Sequence, residues 1–409
     1  MQLHSCRKSY TKDTHRAFPP EETLVRISGK MPLAGITRVA DITNLDRVGI
    51  PVFSSIRPSA QEGAISVYAG KGATPAEARI SAMMEGIERY SAEAGDRTMT
   101  VGTYGELAGS HNALDPRDLI LPRGADPDAR IPWVGGYDIM RNEEVLVPAH
   151  AVFHPLDARH GRLFRTNTNG LASGNVLEEA VFHGLAEVIE RDAWSLVEAT
   201  RDTGPLVRNV TDPLAAELLE KFSAAGVGIH LRDITSDIGL PTCAAASDDL
   251  RLKDPALLTI GMGTHTTARV AVLRALTEVA QSRLTQIQGA REDTTVADLR
   301  KSIGYERAKR INRHWFSERG IIDFTVVASF ESMDFLDDIH FAMDRLRRRG
   351  LTRVIVTDLT RTEIGVPVVR VIVPGLEVYA MDQERMGERC RRATTGGRVP
   401  RPEPEPERG

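Results

Sequence analysis

The feature that most constrains this chain is an internal repeat. Moved forward by 102 positions, residues 72–89 meet a second copy of themselves: Gly72 falls on Gly174, Glu77 on Glu179 and Ala78 on Ala180. Glu85 falls on Glu187, Ile87 on Ile189, Glu88 on Glu190 and Arg89 on Arg191. A further offset of 91 places Ala180 on Ala271, Leu185 on Leu276, Glu187 on Glu278 and Glu190 on Gln281. Three glycine-rich turns therefore each lead into a helix carrying Glu-x-x-Glu or Glu-x-x-Gln.

Helical geometry says what such segments present. Ser81, Glu85 and Glu88 recur at i, i+4 and i+7 and share a face. At about 100° per residue, Glu179, His183, Glu187 and Glu190 fall within an arc of about 80°. Met83, Met84 and Ile87 in the first helix, and Val181, Leu185, Val188 and Ile189 in the second, supply an apolar stripe beside the acidic edge. One such helix is ordinary on a solvated surface, where like charges cost a few tenths of a kcal/mol each. Its recurrence in register argues for converging acids. Converging carboxylates call for hard divalent cations, and Mg²⁺ bridged to phosphates is the usual solution. The chain has no phosphate-binding loop of the Gly-x-x-x-x-Gly-Lys-Ser/Thr type and no dinucleotide fingerprint. A nucleotide would instead be held through metals, through backbone donors of the glycine turns, and through cations drawn from Arg38, Lys71, Arg191 and Arg274.

Composition sets the frame. The chain has 409 residues, 41% hydrophobic and 26% charged, with a net charge of −4. That balance gives no broad nucleic-acid footprint. No apolar run reaches membrane-spanning length, and Met1 to Phe18 is polar and basic without a secretory apolar core. Cys6, Cys243 and Cys390 lie far apart, neither a zinc motif nor a disulfide framework, and a cytoplasmic location is expected.

The pattern of elements is mixed α/β (α+β), helices packed on mixed sheets. Strands are expected at Gly49–Ser54, Ile65–Ala69, Glu144–Val147, Val354–Thr357 and Val366–Val373. Turn-helix units are expected at roughly 72–89, 166–200 and 257–290. Asp337–Arg349 reads as an amphipathic helix ending at Gly350. Residues 1–34 read as a lead-in, 35–392 as a catalytic domain and 393–409 as a disordered proline-rich tail.

Ser81-x-x-x-Glu85-x-x-Glu88-Arg89, Asn175-x-x-x-Glu179, Glu187-x-x-Glu190-Arg191 and Glu278-x-x-Gln281 together resemble the ATP-binding motifs of the YcaO family, over roughly residues 35–380. Gly35-Ile36-Thr37-Arg38-Val39-Ala40-Asp41-Ile42-Thr43, Ile50-Pro51-Val52-Phe53 through Arg57-Pro58, and Val373-Pro374-Gly375-Leu376-Glu377 resemble the methanogen-type members. The resemblance implies a YcaO-like fold around a central ATP site, with ATP and Mg²⁺ as cofactors. It implies metal- or phosphate-facing acids at Glu85, Glu88, Glu179, Glu187 and Glu190, with Glu187, Glu190 and Arg191 nearest the chemistry. Nucleotide contacts are implied at Ser81, Asn175, Arg191, Glu278 and Gln281, and more loosely at Arg38 and Lys71. The implied reaction is O-phosphorylation of a backbone amide followed by thioamide formation on a glycine of the methyl-coenzyme M reductase α subunit. A TfuA-like partner, a sulfide donor and a homodimer come with it. Cyclodehydration of Cys, Ser or Thr in a ribosomal peptide is the alternative, and a non-catalytic nucleotide- or peptide-binding protein is a further one. Pro400-x-Pro402-x-Pro404-x-Pro406 resembles the tail of azoline-forming members, although Glu407-Arg408-Gly409 follow it here. His183 is either a locally bonded helix-face histidine or a proton handler.

Overall fold

The structure, a computed structural model, describes residues 1–157, 161–290, 302–318 and 320–396. Strands β1 (Arg38–Asp41), β2 (Val52–Ile56) and β3 (Val67–Lys71) form an antiparallel sheet in that order. Strands β4 (Thr100–Gly102), β5 (Ile131–Asp138), β6 (Glu143–Pro148) and β7 (Leu171–Ser173) begin a second sheet. The chain then leaves to build a third sheet from β8 (Leu206–Arg208), β9 (Val227–Asp233), β10 (Thr242–Asp249), β11 (Ile260–Thr264) and β12 (Ile321–Asp323), in the order β11-β10-β9-β8-β12. It returns through β13 (Ile355–Asp358) and β14 (Val368–Ile372), which complete the second sheet in the order β4-β5-β13-β14-β7, with β6 paired to β5. Among the described residues only the β8–β12 pair is parallel, so just one of the three sheets is mixed.

The sequence repeat is a strand-turn-helix unit used three times. β3 leads through Gly72 into helix Pro75–Ala92, and β7 leads through Gly174 into Leu177–Thr200. β11 leads into Ala268–Gln288. The matched glycines have one cause. A Cβ on Gly72 would sit 2.6 Å from the backbone nitrogen of Ala78, and one on Gly174 would sit 2.5 Å from that of Ala180. Only glycine lets the strand end ride that closely on the first helical turn. Thr74 and Glu77 close a capping box on the first helix, the Glu77 amide donating to Thr74 Oγ1 at 3.3 Å.

Each helix buries its apolar stripe in a different core. Met83 and Ile87 enter the core around Trp133, and Val181, Leu185, Val188 and Ile189 enter that around Phe335. Leu276 and Val279 enter that around Phe222. Met84, assigned to the stripe by spacing, is half-buried: it packs against the same core and also lines a cavity. Each helix packs on the strand of its own unit and also reaches a strand of another. The first touches β7 of the second unit, the second touches β11 of the third, and the third touches β3 of the first. The three acidic edges meet at one cavity.

The expected strands appear within a few residues of their predicted places, and the amphipathic helix runs Phe335–Arg347 with Gly350 left-handed beyond it. Residues 393–396, read as part of the tail, are the end of helix Glu388–Gly396. The remaining tail, with its proline repeat, lies outside the described residues. The lead-in is not a loose appendage. Cys6 donates its amide to Asp334 Oδ1 at 3.0 Å, and Lys8 pairs with Asp338 at 2.5 Å. No described helix is long and apolar enough to cross a membrane.

Candidate functional site

The three acidic edges and the lead-in enclose a cavity of about 560 Å³. Its charged wall carries Glu85, Glu88, Glu187, Glu190 and Glu278, interleaved with Lys71, Arg89, Arg191 and Arg274. Its apolar side is formed by Phe18, Pro20, Ile80 and Met84.

The carboxylates are not equally satisfied. Arg89 donates to Glu85 at 2.9 Å across one helical turn. Ser173 gives Glu88 Oε2 its amide at 2.9 Å and its hydroxyl at 3.1 Å. Arg191 stands 3.7 Å from both Glu187 and Glu190, beyond hydrogen-bond reach. Glu190 is 2% exposed, yet among the described residues its Oε2 has no partner. The Nε atoms of Arg89, Arg191 and Arg274 are equally unpartnered. Lys71 pairs with Glu278, and Gln281 donates to the Ala69 carbonyl at 2.6 Å.

Crowding sets the protonation. Burial, then the neighbouring Glu85 and Glu187, pushes Glu88 up to about 8 against the pull of Arg89. Burial likewise raises Glu187, with Glu190 adding to it, and raises Glu190, with Glu278 adding. Glu278 goes the other way: burial pushes it up, but Lys71 and Arg191 outweigh that and hold it below the ordinary range. Burial, with Arg16 and Arg274, keeps His183 neutral. Raised acids, an unpartnered carboxylate oxygen and idle guanidinium nitrogens on one wall are the donor set for hard cations bridged to an anionic ligand. The residues therefore fit a nucleotide with magnesium.

The YcaO cyclodehydratase family model, described as ATP- and Mg²⁺-binding, matches residues 69–377. The chain belongs to the YcaO family. ATP and Mg²⁺ are accordingly its cofactors, and it is an ATP-dependent peptide-modifying enzyme of this family. An uncharacterised protein of Methanothermobacter thermautotrophicus is 52% identical over 383 residues, covering 92% of this chain and 98% of that one. A Rhizobium leguminosarum bv. trifolii protein, named for its place in the tfuA 3′ region, is 33% identical and covers 89% of each chain. The solved structure of YcaO from Methanopyrus kandleri bound with AMPPCP and Mg²⁺ superposes with a TM-score of 0.78 at 32% identity, covering 94% of this chain and 98% of that one.

Of the site residues expected from the sequence, Lys71, Ser81, Glu85, Glu88, Asn175, Glu179, Glu187, Glu190, Arg191, Glu278 and Gln281 all line this YcaO cavity, as do His183 and Arg274. Arg38 does not. It is exposed on strand β1, outside the residues that line the cavity. Glu179 lines the cavity but is fully engaged. It accepts the Ala17 amide at 2.9 Å, Arg16 Nη1 at 3.2 Å and Asn175 Nδ2 at 3.2 Å.

Sequence reasoning missed the lead-in's share of the site. Tyr10, Asp13, Thr14, Arg16 and Thr23 all line the cavity. Arg16 lies 2.9 Å from the His183 ring nitrogens, and Thr23 donates to Asn175 Oδ1 at 2.9 Å. Tyr10 bonds Glu77, and burial followed by Glu77 pushes Asp13 up to about 7. The signal was there in one form only: Lys8, Tyr10, Asp13, His15 and Arg16 crowd a short stretch that has no apolar period.

Proposed function

We propose that this chain uses ATP to activate a backbone amide for thioamide formation, the target being a glycine of the methyl-coenzyme M reductase α subunit. The observation that carries the amide-activation step is the wall of crowded glutamates, with one Glu190 oxygen lacking a partner among the described residues, beside Lys71, Arg191 and Arg274. An amide is a poor electrophile and its oxygen a poor leaving group. Sulfide adds to the carbonyl carbon, and the electron pair of the broken π bond moves to oxygen. When bound, ATP with Mg²⁺ would supply the γ-phosphoryl group that this oxygen takes up, with the β,γ P–O bond broken and ADP released; the oxygen then leaves as phosphate while the C=S bond forms and the S–H proton is lost.

The protein's part is to position groups and balance charge. Glu85, Glu88, Glu187 and Glu190 hold the cations in this reading. Lys71, Arg191 and Arg274 face phosphate oxygens, and Ser81, Asn175 and Gln281 contact the nucleotide. His183, kept neutral, is able to accept a proton. The thioamide reading is supported by the full-length correspondence with the Methanopyrus and Methanothermobacter proteins and by the rhizobial relative named for its tfuA neighbour. A TfuA-like partner delivering sulfide belongs to the same proposal.

The family description itself favours a second reading, cyclodehydration of a peptide Cys, Ser or Thr. Mass spectrometry separates the two. The candidate substrate is incubated with ATP, Mg²⁺ and sulfide, with and without the partner. Replacement of one oxygen by sulfur is the expected product. Loss of water from a Cys-, Ser- or Thr-containing peptide would replace this reading with the second, and unmodified substrate under every condition would end both.

A further inference from the structure

A second, smaller cavity of about 70 Å³ lies beside the first, lined by Arg370, Arg385, Asn167, Asn169, Val188 and Val371 among others. Arg370 is the strand partner of Leu171, and Leu171 lines the nucleotide cavity. Val188 follows Glu187 on the second glutamate helix. The two cavities thus share walls.

The small one is cationic. Arg370 is 2% exposed and Arg385 is 5% exposed. Among the described residues, both bond only to main-chain oxygens. Arg370 Nε donates to Ala151 and Val152 at 3.0 and 3.1 Å, Nη1 to Asn169 at 2.8 Å, and Nη2 to Asn167. Arg385 donates to Ile120 at 2.8 Å and Leu119 at 2.7 Å, and stacks 3.9 Å from the Phe164 ring centre. Carbonyls satisfy the donors and leave the charges standing. Arg283, equally buried, is neutralised by Asp46 and Asp249. Arg232 also bonds mainly to carbonyls, but it does not line this cavity.

Burial, with Arg89 and Arg385 adding to it, lowers Arg370 to about 10 against the pull of Glu187 and Glu88. The one carboxylate lining the cavity, Asp118, has Asp115, Arg353 and Arg141 as its electrostatic partners. Asn169 Oδ1 is buried and unpartnered, and rotating that amide would present its NH₂ instead. Glu187 and Glu88 act on Arg370 and Asp382 on Arg385 from a distance, but among the described residues neither guanidinium has a carboxylate in ion-pair contact, so an anion in the cavity would be their closest counter-charge. The volume suits one or two groups the size of a water molecule, whose share of liquid volume is about 30 Å³. That admits a small anion and is too small for a whole nucleotide.

We infer that this cavity binds a small monovalent anion, and that hydrosulfide is the one it serves, held beside the site where the amide is activated. The first half stands on the geometry alone; the second rests on the thioamidation reading. The probe is sodium bromide, soaked into crystals of the full chain and located by anomalous scattering. Bromide is expected between the Arg370 and Arg385 guanidiniums and is displaced when hydrosulfide is added. Arg385→Met is expected to lose the bromide peak and to raise the KM for sulfide about tenfold with the KM for ATP unchanged. Arg385→Lys, which keeps the charge and guards against a folding defect, recovers part of both. An empty cavity in the wild-type crystals overturns the anion site. Bromide bound but not displaced by hydrosulfide, or a sulfide KM unmoved in Arg385→Met, overturns the assignment to hydrosulfide. Bound, displaceable bromide in an enzyme that makes no thioamide supports the site and defeats the thioamidation reading instead.

Discussion

Glu179 and Glu190 sit on one helix, three turns apart, and are 1% and 2% exposed. Their surroundings are opposite. Glu179 accepts hydrogen bonds from Arg16, Ala17 and Asn175, so its charge is spent on fastening the lead-in. Glu190 has an unpartnered oxygen and a guanidinium held just out of reach. The helix repeat presents its acids alike, and the neighbours decide which are structural and which are left available for a cation. The third helix repeats the lesson, because Glu278 is already neutralised by Lys71.

The comparison breaks or sharpens under substitution. Glu190→Gln removes a buried charge whose nearest guanidinium, Arg191, stands 3.7 Å away. ATP turnover is expected to fall about 10²–10³-fold. The thermal midpoint of the ligand-free protein holds or rises, since a crowded, loosely paired buried carboxylate has gone. Turnover within a few-fold of wild type would remove Glu190 from the site. Glu179→Ala shows the reverse balance. It strands Arg16 and the Ala17 amide and is expected to cost about 2–3 kcal/mol of stability, read from denaturant unfolding. A variant as stable as wild type would deny it the fastening role.

Glu88 gives a pH signature. Its pKa is pushed up from 4.5 to about 8. Between those values the folded protein holds a proton that the unfolded chain has lost, so ligand-free stability is full below the lower value and declines as pH rises toward the upper. A Mg²⁺ ion held by Glu88, as proposed, would displace that proton, so Mg²⁺ binding in the presence of AMPPCP is expected to strengthen over the same window. Calorimetry in buffers of different ionisation enthalpy is expected to detect proton release on binding. Glu88→Gln flattens both trends, and a release that survives it points to Glu187 or Glu190 instead. The smallest effect is expected at Arg38. Arg38→Ala leaves the KM for ATP unchanged and stability within about 0.5 kcal/mol, as for an exposed strand residue. A raised KM would bring β1 into the site.

The repeat made much of this site legible, because strand, glycine turn and acidic helix are local, and helical spacing alone puts Glu85 with Glu88 and Glu187 with Glu190. The cyclic contact of each helix with the strand of another unit is a matter of long-range packing and left no mark on the spacing. The central strands of the third sheet were passed over for a related reason: Thr242–Asp249 is buried on both faces and carries no alternation to read. The lead-in hid behind its composition. A polar segment reads as solvated, yet Lys8, Asp13 and His15 are buried there by partners such as Asp338 and Tyr10's neighbour Glu77 that lie far along the chain. Arg38 went the other way, a cation in a motif-like stretch that lies exposed on β1, outside the residues that line the cavity.

The central claim is that phosphate is made from the amide's own oxygen. The most direct measurement is to label the target glycine carbonyl with heavy oxygen and follow the label through one turnover with ATP, Mg²⁺ and sulfide. The label is expected in inorganic phosphate, one equivalent for each thioamide formed. Unlabelled phosphate, with the heavy oxygen released to water or kept in the peptide, would contradict the account.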